Sequence, residues 1–195
     1  MKLVIIGGGG FGREVAWVAQ TAGLEVAGFC DDAELTGLAA FLGSVEDAAR
    51  ALPEAEFIVA IGNNEARERL FERALACGWT PKSVISPKAV IAPDVEIGAG
   101  SYIGVGSVVS VGAKIGRGVI VNNLVSVGHD VVIDDFAQIC PCAGISGGCR
   151  IGTGALLGTN ATVVPLRKIG ARAVLGAGAL ALRDLADGES VVRLR

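Results

Sequence analysis

His129 is the only histidine in the chain, and Asp130 follows it directly. An imidazole can accept a proton near neutral pH, and a neighbouring carboxylate can orient the ring and stabilise its cation. Asp134 and Asp135 lie a few residues further on. The sequence therefore offers His129 as a general base, the alternative being an exposed histidine without a catalytic role. A single histidine argues against a three-histidine zinc site, and we predict that no metal is bound.

A second candidate site is the glycine-rich run that follows the apolar residues 3–6. Gly7, Gly9 and Gly12 fit the pattern of a dinucleotide-binding turn, and Asp31 lies 19 residues beyond Gly12. A carboxylate near that distance is typical of ribose binding. Glycine allows backbone N–H groups to approach a phosphate at a helix N-terminus. We predict a phosphate-binding loop; a tight turn without a ligand is the alternative.

The surrounding elements predict a half-Rossmann unit over residues 1–80. Apolar runs indicate strands at 2–6, 25–30 and 57–61, and helical spacing indicates helices at about 13–22 and 65–77. A dinucleotide domain needs a second mononucleotide half, but the pattern changes near Ile85. A single half suits one nucleotide, so an NAD oxidoreductase is the less favoured interpretation.

A six-residue repeat occupies the second part of the chain, predicted as one domain over residues 81–195. From Ile85 to Leu175 every sixth residue is aliphatic, sixteen positions in all. The residue after each is usually small, as is the residue two before it. Such a repeat predicts a narrow parallel β-prism, with glycine relaxing the backbone at the corners.

Composition excludes several classes of protein. The net charge is −3 and no basic run occurs, so nucleic acid is not an expected partner. The sequence contains no stretch of about 18 consecutive apolar residues, which argues against a membrane span. Five cysteines, an odd number without paired spacing, indicate reduced thiols. We therefore expect a soluble, cytoplasmic protein.

The repeat resembles the hexapeptide-repeat family, whose fold is the left-handed parallel β-helix. Further motifs, in order, are Ile6-Gly7-Gly8-Gly9-Gly10, Gly28-Phe29-Cys30-Asp31-Asp32, Ala60-Ile61-Gly62-Asn63-Asn64 and Gly128-His129-Asp130. Together they resemble bacterial sugar-nucleotide N-acetyltransferases of the PglD type and sialic-acid O-acetyltransferases of the NeuD type. The resemblance implies acetyl transfer from acetyl-CoA to the amino group of a nucleotide-linked sugar. It also implies a homotrimer with active sites between neighbouring β-helices.

The resemblance implies a role for each candidate residue. His129, Asp130 and Gly147 are the expected catalytic set, with the Gly147 N–H facing the thioester carbonyl; Gly147 lies 18 residues after His129, one coil away. Acetyl-CoA contacts are expected at Gln138, Gly147, Thr159 and Ala177. The expected substrate-binding residues are Gly8, Gly9, Gly10, Phe11, Gly12, Asp31, Asp32, Gly62, Asn63, Asn64 and Asn122.

Some positions depart from the family pattern or leave alternatives open. Phe11 and Gln138 stand where family members often carry histidine, and the usual Gly-x-Pro-Ala segment near the C-terminus is missing. Arg167 and Lys168 either meet the CoA phosphates or are ordinary surface charges. Asn122 binds the sugar or stacks at a corner, and Phe136 contacts an acyl chain or subunit or packs internally. Sugar O-acetylation and a non-catalytic sugar-nucleotide-binding protein are the alternative functions.

Overall fold

The computed structural model describes residues 1–33 and 40–192. The first part is a parallel sheet of β1 (Leu3–Ile6), β2 (Val26–Cys30), β3 (Glu56–Val59) and β4 (Thr80–Pro81), in the order β2-β1-β3-β4. All four residues of β1 are buried, as expected of an apolar central strand with layers on both faces.

Three helices accompany this sheet within the described residues. Helix α1 (Gly10–Thr21) begins three residues earlier than predicted and buries Val15, Val18 and Ala19; α3 spans Asn64–Ala76. Helix α2 (Val45–Ala51) is absent from our sequence prediction. It begins with a capping box in which the Ser44 and Asp47 side chains each accept a hydrogen bond from the other's backbone N–H.

The second part is a solenoid of two-residue strands. They are β5 (Val84–Ile85), β6 (Val90–Ile91), β7 (Glu96–Ile97), β8 (Tyr102–Ile103), β9 (Val108–Val109), β10 (Lys114–Ile115), β11 (Ile120–Val121), β12 (Ser126–Val127), β13 (Val132–Ile133), β14 (Gln138–Ile139), β15 (Gly144–Ile145), β16 (Arg150–Ile151), β17 (Leu156–Leu157), β18 (Thr162–Val163), β19 (Lys168–Ile169), β20 (Val174–Leu175), β21 (Leu180–Ala181) and β22 (Ser190–Val191).

These strands form the three faces of a triangular prism. Face I contains β5, β8, β11, β14, β17, β20 and β22; face II contains β6, β9, β12, β15, β18 and β21; face III contains β7, β10, β13, β16 and β19. Paired residues lie 18 apart, as Ile115 pairs with Ile133. The solenoid is a left-handed parallel β-helix of about six turns, and this confirms the predicted fold class.

The aliphatic ladder fills the prism, as the repeat predicted. Its members from Ile103 to Leu175 are buried, together with small residues such as Ala113 and Ala137. The structure extends the ladder beyond Leu175 to Ala181 and Val191. The final coil is two residues shorter, because Leu175 pairs with Val191 after 16 residues.

The corners correct our explanation of the repeat's glycines. The left-handed backbone conformation occurs three residues after the aliphatic position, at Gly112 but also at Asp130 and Phe136. The small residue next to the aliphatic one has a different cause: a Cβ added to Gly128 would lie 2.7 Å from the Gly147 nitrogen in the next coil. Close approach between coils, rather than backbone freedom, favours glycine there.

The α/β part packs on face I. Val84, Tyr102 and Ile120 of that face join one buried cluster with Ile5 and Val15. Strand β4 pairs with β3, so the α/β sheet extends to residue 81, and the first solenoid strand begins at Val84. The division into domains at residue 80 stays a prediction.

Candidate active site

His129 lies at the corner between faces II and III, which we call the II/III edge. Its Nδ1 is 2.8 Å from Asp130 Oδ2, and both side chains are exposed. An Nδ1–H that donates to this carboxylate leaves the lone pair of the ring on Nε2. Asp130 has φ +57°, the left-handed corner conformation. The pair can therefore present an oriented proton acceptor at the surface of the prism.

Gly147 lies directly beside this imidazole, in the next coil of the same edge. A Cβ added to Gly147 would be 2.6 Å from His129 Cε1 and closer still to Nε2. The Gly148 N–H donates to His129 O at 2.9 Å, which fixes the two coils together. The absence of a side chain at position 147 thus gives the ring its space.

The N–H of Gly147 occupies a corner position whose N–H is capped by a side chain at some of the other corners. Val105 N donates to Asn123 Oδ1 at 2.7 Å and Arg117 N donates to Asp135 Oδ1 at 2.9 Å, in each case 18 residues on. The residue 18 beyond Gly147 is Pro165, which has no side-chain acceptor. Among the described residues nothing accepts a hydrogen bond from Gly147 N, so this donor is free for a ligand oxygen.

The other two aspartates near His129 are engaged elsewhere. Asp134 pairs with Arg150 on face III, at 2.9 Å. Asp135 pairs with Arg117, also at 2.9 Å. Of the three carboxylates that follow His129, only Asp130 contacts the imidazole.

The glycine-rich loop connects β1 to α1. Gly9 is the N-cap of α1 and supplies no side-chain cap, so the first N–H groups of the helix remain available to an anion. Gly7 has φ +105°, and a Cβ on Gly12 would overlap the Gly7 carbonyl. Gly8 N donates to Asp31 Oδ2 at 3.2 Å. The predicted loop and its carboxylate are therefore neighbours.

Asp32 is less available than Asp31. Both of its oxygens accept hydrogen bonds from Arg73 Nη1, at 2.8 and 2.9 Å. Arg73 also pairs with Glu46, which lowers the pKa of that carboxyl to about 2. Asp32 thus joins α3 to the end of β2 through an ion pair.

The Gly62-Asn63-Asn64 segment leads into α3. Asn63 Oδ1 accepts from Ala66 N at 2.9 Å as the helix cap. Asn64 Nδ2 donates to Gly154 O of the β-helix at 2.8 Å. Gly62 faces Gln138, because an added Cβ would lie 3.7 Å from Gln138 Nε2. Gly62, a predicted nucleotide-binding residue, therefore lies next to Gln138, a predicted CoA-binding residue.

Gln138 has a buried polar atom that lacks a hydrogen-bond partner among the described residues. Its Oε1 is buried without a hydrogen-bond partner, while its Nε2 lies 3.6 Å from Cys140 Sγ. Burial raises the pKa of the Cys140 thiol. A buried acceptor without a donor is costly, and such positions are often completed by a ligand.

Four further candidates lie at or near the corner between faces I and II, the I/II edge. Phe11 packs edge-to-face on Tyr102, with ring centroids 5.3 Å apart. Asn122 Oδ1 accepts from Asn123 N at 2.7 Å, which favours the corner interpretation of this residue. Thr159 and Ala177 are exposed and lie 18 residues apart on adjacent coils. Their alignment would suit an extended ligand.

Two residues important for this arrangement escaped the sequence analysis. Arg67 is buried between α3 and the β-helix. Glu14 of α1 accepts hydrogen bonds from Asn123 Nδ2 at 2.6 Å and from the Tyr102 hydroxyl at 3.4 Å. Phe136, for which the sequence left contact with a ligand or subunit and internal packing as alternatives, is buried against Phe71 of α3, which supports internal packing. Only the charge of Arg67 and Glu14 within their helices hinted at these contacts.

Two solved structures similar to this chain contain CoA or acetyl-CoA, and one of them also contains a nucleotide-linked sugar. A mutant of perosamine N-acetyltransferase from Caulobacter crescentus, in complex with CoA and GDP-perosamine, is 30% identical with a TM-score of 0.91; the match covers 97% of this chain and 92% of that one. The acetyltransferase domain of PglB from Neisseria gonorrhoeae, in complex with acetyl coenzyme A, is 34% identical with a TM-score of 0.90, covering 97% and 94%.

The chain belongs to the hexapeptide-repeat sugar-nucleotide acetyltransferases. The predicted resemblance is thereby confirmed. The family described as PglD N-terminal domain matches residues 2–74. WeeI from Acinetobacter baumannii is similar as well, with 29% identity, a TM-score of 0.89 and coverage of 99% and 97%.

Two features are absent from residues 1–33 and 40–192. No three His, Cys, Asp or Glu side chains lie close enough together to hold a metal ion. No helix in that part of the chain has the length and apolar character needed to cross a bilayer.

Proposed function

We propose that the protein transfers an acetyl group from acetyl-CoA to the amino group of a nucleotide-linked amino sugar, with His129 as general base. The observation that carries this proposal is the imidazole of His129, paired with Asp130 and seated over Gly147. It occurs in a chain that matches an N-acetyltransferase structure containing CoA and GDP-perosamine over 97% of its length.

The site residues suit each step of this reaction. The amine lone pair attacks the thioester carbonyl carbon, a C–N bond forms, and the carbonyl oxygen becomes an oxyanion. The Gly147 N–H, free of a protein acceptor, is suited to stabilise that oxyanion. Nε2 of His129 accepts the proton from the attacking nitrogen, and Asp130 stabilises the imidazolium. The C–S bond then breaks, and the CoA sulfur takes the proton from the imidazolium.

The α/β part is proposed to bind the nucleotide. The uncapped N-terminus of α1 suits a phosphate, and Asp31 beside Gly8 suits a ribose hydroxyl. Gly62 and Gln138 adjoin, so the sugar nucleotide and acetyl-CoA would approach each other at this contact. Asn63, Asn64 and Asp32 already hold structural partners, so they are weaker candidates for direct contact.

A homotrimer is part of the proposal, because within one chain the α/β part and His129 lie on different sides of the prism. The α/β part covers face I and contacts its two edges, through Asn123 on one side and Gly154 on the other. His129 lies on the II/III edge, the one edge of the prism that does not border face I. A complete site therefore requires the α/β part of a second copy.

Face II supports such an assembly. Its six outward strand residues carry no charge: Val90, Val108, Ser126, Gly144, Thr162 and Leu180. Val90 is 66% exposed and Leu180 51%, and Leu124 and Leu166 at the adjoining edges are exposed too. On face III four of the five equivalent residues are charged. Exposed apolar surface of this kind favours self-association.

Three copies with face II toward a common axis would assemble the site. The II/III edge of each copy, with His129, would then adjoin the I/II edge of the next, with Thr159 and Ala177. The groove between them would be bounded by face III of one copy and the α/β part of its neighbour. Cyclic symmetry would produce three equivalent sites.

The test is release of free CoA from acetyl-CoA with a panel of UDP-, GDP- and dTDP-linked amino sugars. Matched sugars with a hydroxyl in place of the amine separate N- from O-acetylation. We expect turnover only with the amine, and its loss in His129→Ala. Turnover of the hydroxyl sugars, or sugar-nucleotide binding without turnover, would contradict the proposal. A cytoplasmic location stays a prediction.

A further inference from the structure

Arg67 is the largest fully buried side chain of the described residues, with 1% of its surface exposed. It lies in the first turn of α3, where that helix meets the corner between faces III and I. Burial lowers the pKa of its guanidinium to about 10, so the group stays charged at neutral pH. A buried charge is costly unless its donors are satisfied.

Its hydrogen-bond acceptors are all neutral. Nε donates to Gly118 O at 2.8 Å, and Nη2 donates to Phe136 O at 2.6 Å and to Ala137 O at 3.3 Å. Nη1 donates to Ile61 O at 3.0 Å, and Nη2 also donates to Asn64 Oδ1 at 2.9 Å. No carboxylate of residues 1–33 or 40–192 accepts from this guanidinium.

Four of these five acceptors belong to the two segments that meet at the proposed site. Ile61 and Asn64 bracket Gly62 and Asn63, so Arg67 holds both ends of the loop that enters α3. Phe136 and Ala137 directly precede Gln138, whose side chain faces Gly62. One planar guanidinium therefore connects the loop of the α/β part to the coil of the β-helix.

Lysine cannot reproduce this geometry. Its ammonium is a point donor with three N–H groups, whereas the guanidinium is a rigid fork that reaches acceptors on both sides. A buried charge is also weak evidence of stabilisation in itself, because apolar substitutes of similar volume are often tolerated. An arginine with five neutral acceptors across a domain contact fits a positioning role.

We propose that Arg67 is a positioning residue that fixes the Ile61–Asn64 loop relative to Gln138, and so sets the register between bound sugar nucleotide and acetyl-CoA. This inference rests on the proposed function. Gln138 is held independently by its own ladder hydrogen bond, from its N–H to Ala155 O at 2.8 Å. Loss of the guanidinium therefore displaces the loop and leaves the proposed acetyl-CoA contact in place.

The kinetic test uses Arg67→Lys, and Arg67→Gln as a second variant without a buried charge. With the amino sugar that wild-type enzyme acetylates, we expect KM for the sugar nucleotide to rise about tenfold while KM for acetyl-CoA stays within about twofold. The control is Val45→Ala, which removes buried apolar volume in α2, away from the loop. It should lower Tm and leave both KM values unchanged. Equal changes in both KM values for the Arg67 variants, or none, would overturn the proposal.

Amide hydrogen exchange in the free enzyme provides a readout that needs no substrate. In both Arg67 variants we expect exchange over residues 61–67 to be about tenfold faster than in wild type, with face II unchanged. Val45→Ala should not produce this local change. If it does, or if the Arg67 variants accelerate exchange evenly along the chain, the residue acts only on stability. Failure of the proposed function would instead appear as wild-type enzyme without amino-sugar turnover, and would leave this result intact.

Discussion

The imidazole of His129 occupies the space into which a side chain at Gly147 would project. A Cβ at Gly147 would lie 2.6 Å from His129 Cε1, closer than real Cβ atoms come to a neighbouring carbon. The two residues face each other across adjacent coils, 18 positions apart. The ring orientation proposed for catalysis thus depends on a missing methyl group.

Gly147→Ala should displace the imidazole from its pairing with Asp130. We expect kcat to fall at least about tenfold, because misplacing a catalytic group by about 1 Å can cost far more than that. The fold should persist, since φ at Gly147 is not in the left-handed region. The control is Ala99→Gly. This substitution also changes the side chain by one methyl group, at the equivalent corner position of another edge. Unchanged turnover in Gly147→Ala would contradict the arrangement.

His129→Ala should lower kcat by about 10²- to 10⁴-fold, the usual contribution of a general base. Because the side chain is exposed, Tm should change little. Asp130→Asn keeps a hydrogen-bond acceptor but loses the negative charge, so a smaller loss of kcat is expected. Steady-state kinetics with calorimetry separates the two effects. A drop in Tm that matches the loss of activity would point to misfolding instead of lost catalysis.

Gln138→Leu should separate stability from ligand binding. The substitution removes a buried oxygen that has no partner among the described residues, so the free energy of unfolding should stay equal or increase. KM for acetyl-CoA should increase if the amide contacts that ligand, as proposed. Denaturant titration and kinetics provide the two readouts. A clear loss of stability would show that Oε1 is satisfied in the assembled protein.

Val108→Lys should dissociate the proposed trimer, because a charge would be buried at the centre of face II. Wild-type protein should sediment at three times the chain mass of 19.7 kDa, and the variant at the mass of one chain. Val132→Lys makes the same change on face III and should stay assembled. Wild-type protein that sediments as a monomer would remove the basis of the shared site.

The Glu46–Arg73 ion pair predicts a dependence of stability on pH. The hydrogen bonds from Arg73 lower the pKa of Glu46 from 4.5 to about 2 in the folded protein. A lowered folded-state pKa contributes stability above pH 4.5, and the contribution disappears as the pH falls toward 2. Glu46→Gln should therefore be less stable than wild type near neutral pH, by under about 1 kcal/mol for a partly exposed pair. The difference should vanish near pH 2, and a constant difference in urea titrations would contradict this assignment.

The repeat made the prism predictable, because the inward positions recur every six residues and each can be identified from the local sequence. The ladder from Ile85 to Leu175 follows from this spacing. The alignment of His129 with Gly147 follows once the family resemblance implies a coil of three hexads. Helix α2 was missed although its capping box, Ser44 to Asp47, is a local signal. The corner conformation at Asp130 was missed because glycine shares this position with larger residues such as Leu124 and Leu166, so no residue type marks it.

The contacts between the α/β part and the prism could not be predicted in the same way. Arg67 meets Gly118 and Phe136 across 51 and 69 residues, and no short-range pattern specifies such a pairing. Phe136 was predicted at a corner, but its burial depends on Phe71 of α3. Docking of one unit on another is decided by complementary surfaces, which a single sequence does not reveal.

The 18-residue coil restricts how the length of this chain can change. Each hexad turns the backbone by a third of a revolution, so inserting one hexad before His129 would move it to a different edge. An added or lost single residue would also turn the aliphatic ladder out of the interior. Only whole coils can be gained or lost between Val84 and His129 without misdirecting the imidazole. The two-residue shortening after Ala181 is harmless to this alignment because it lies beyond every proposed site residue.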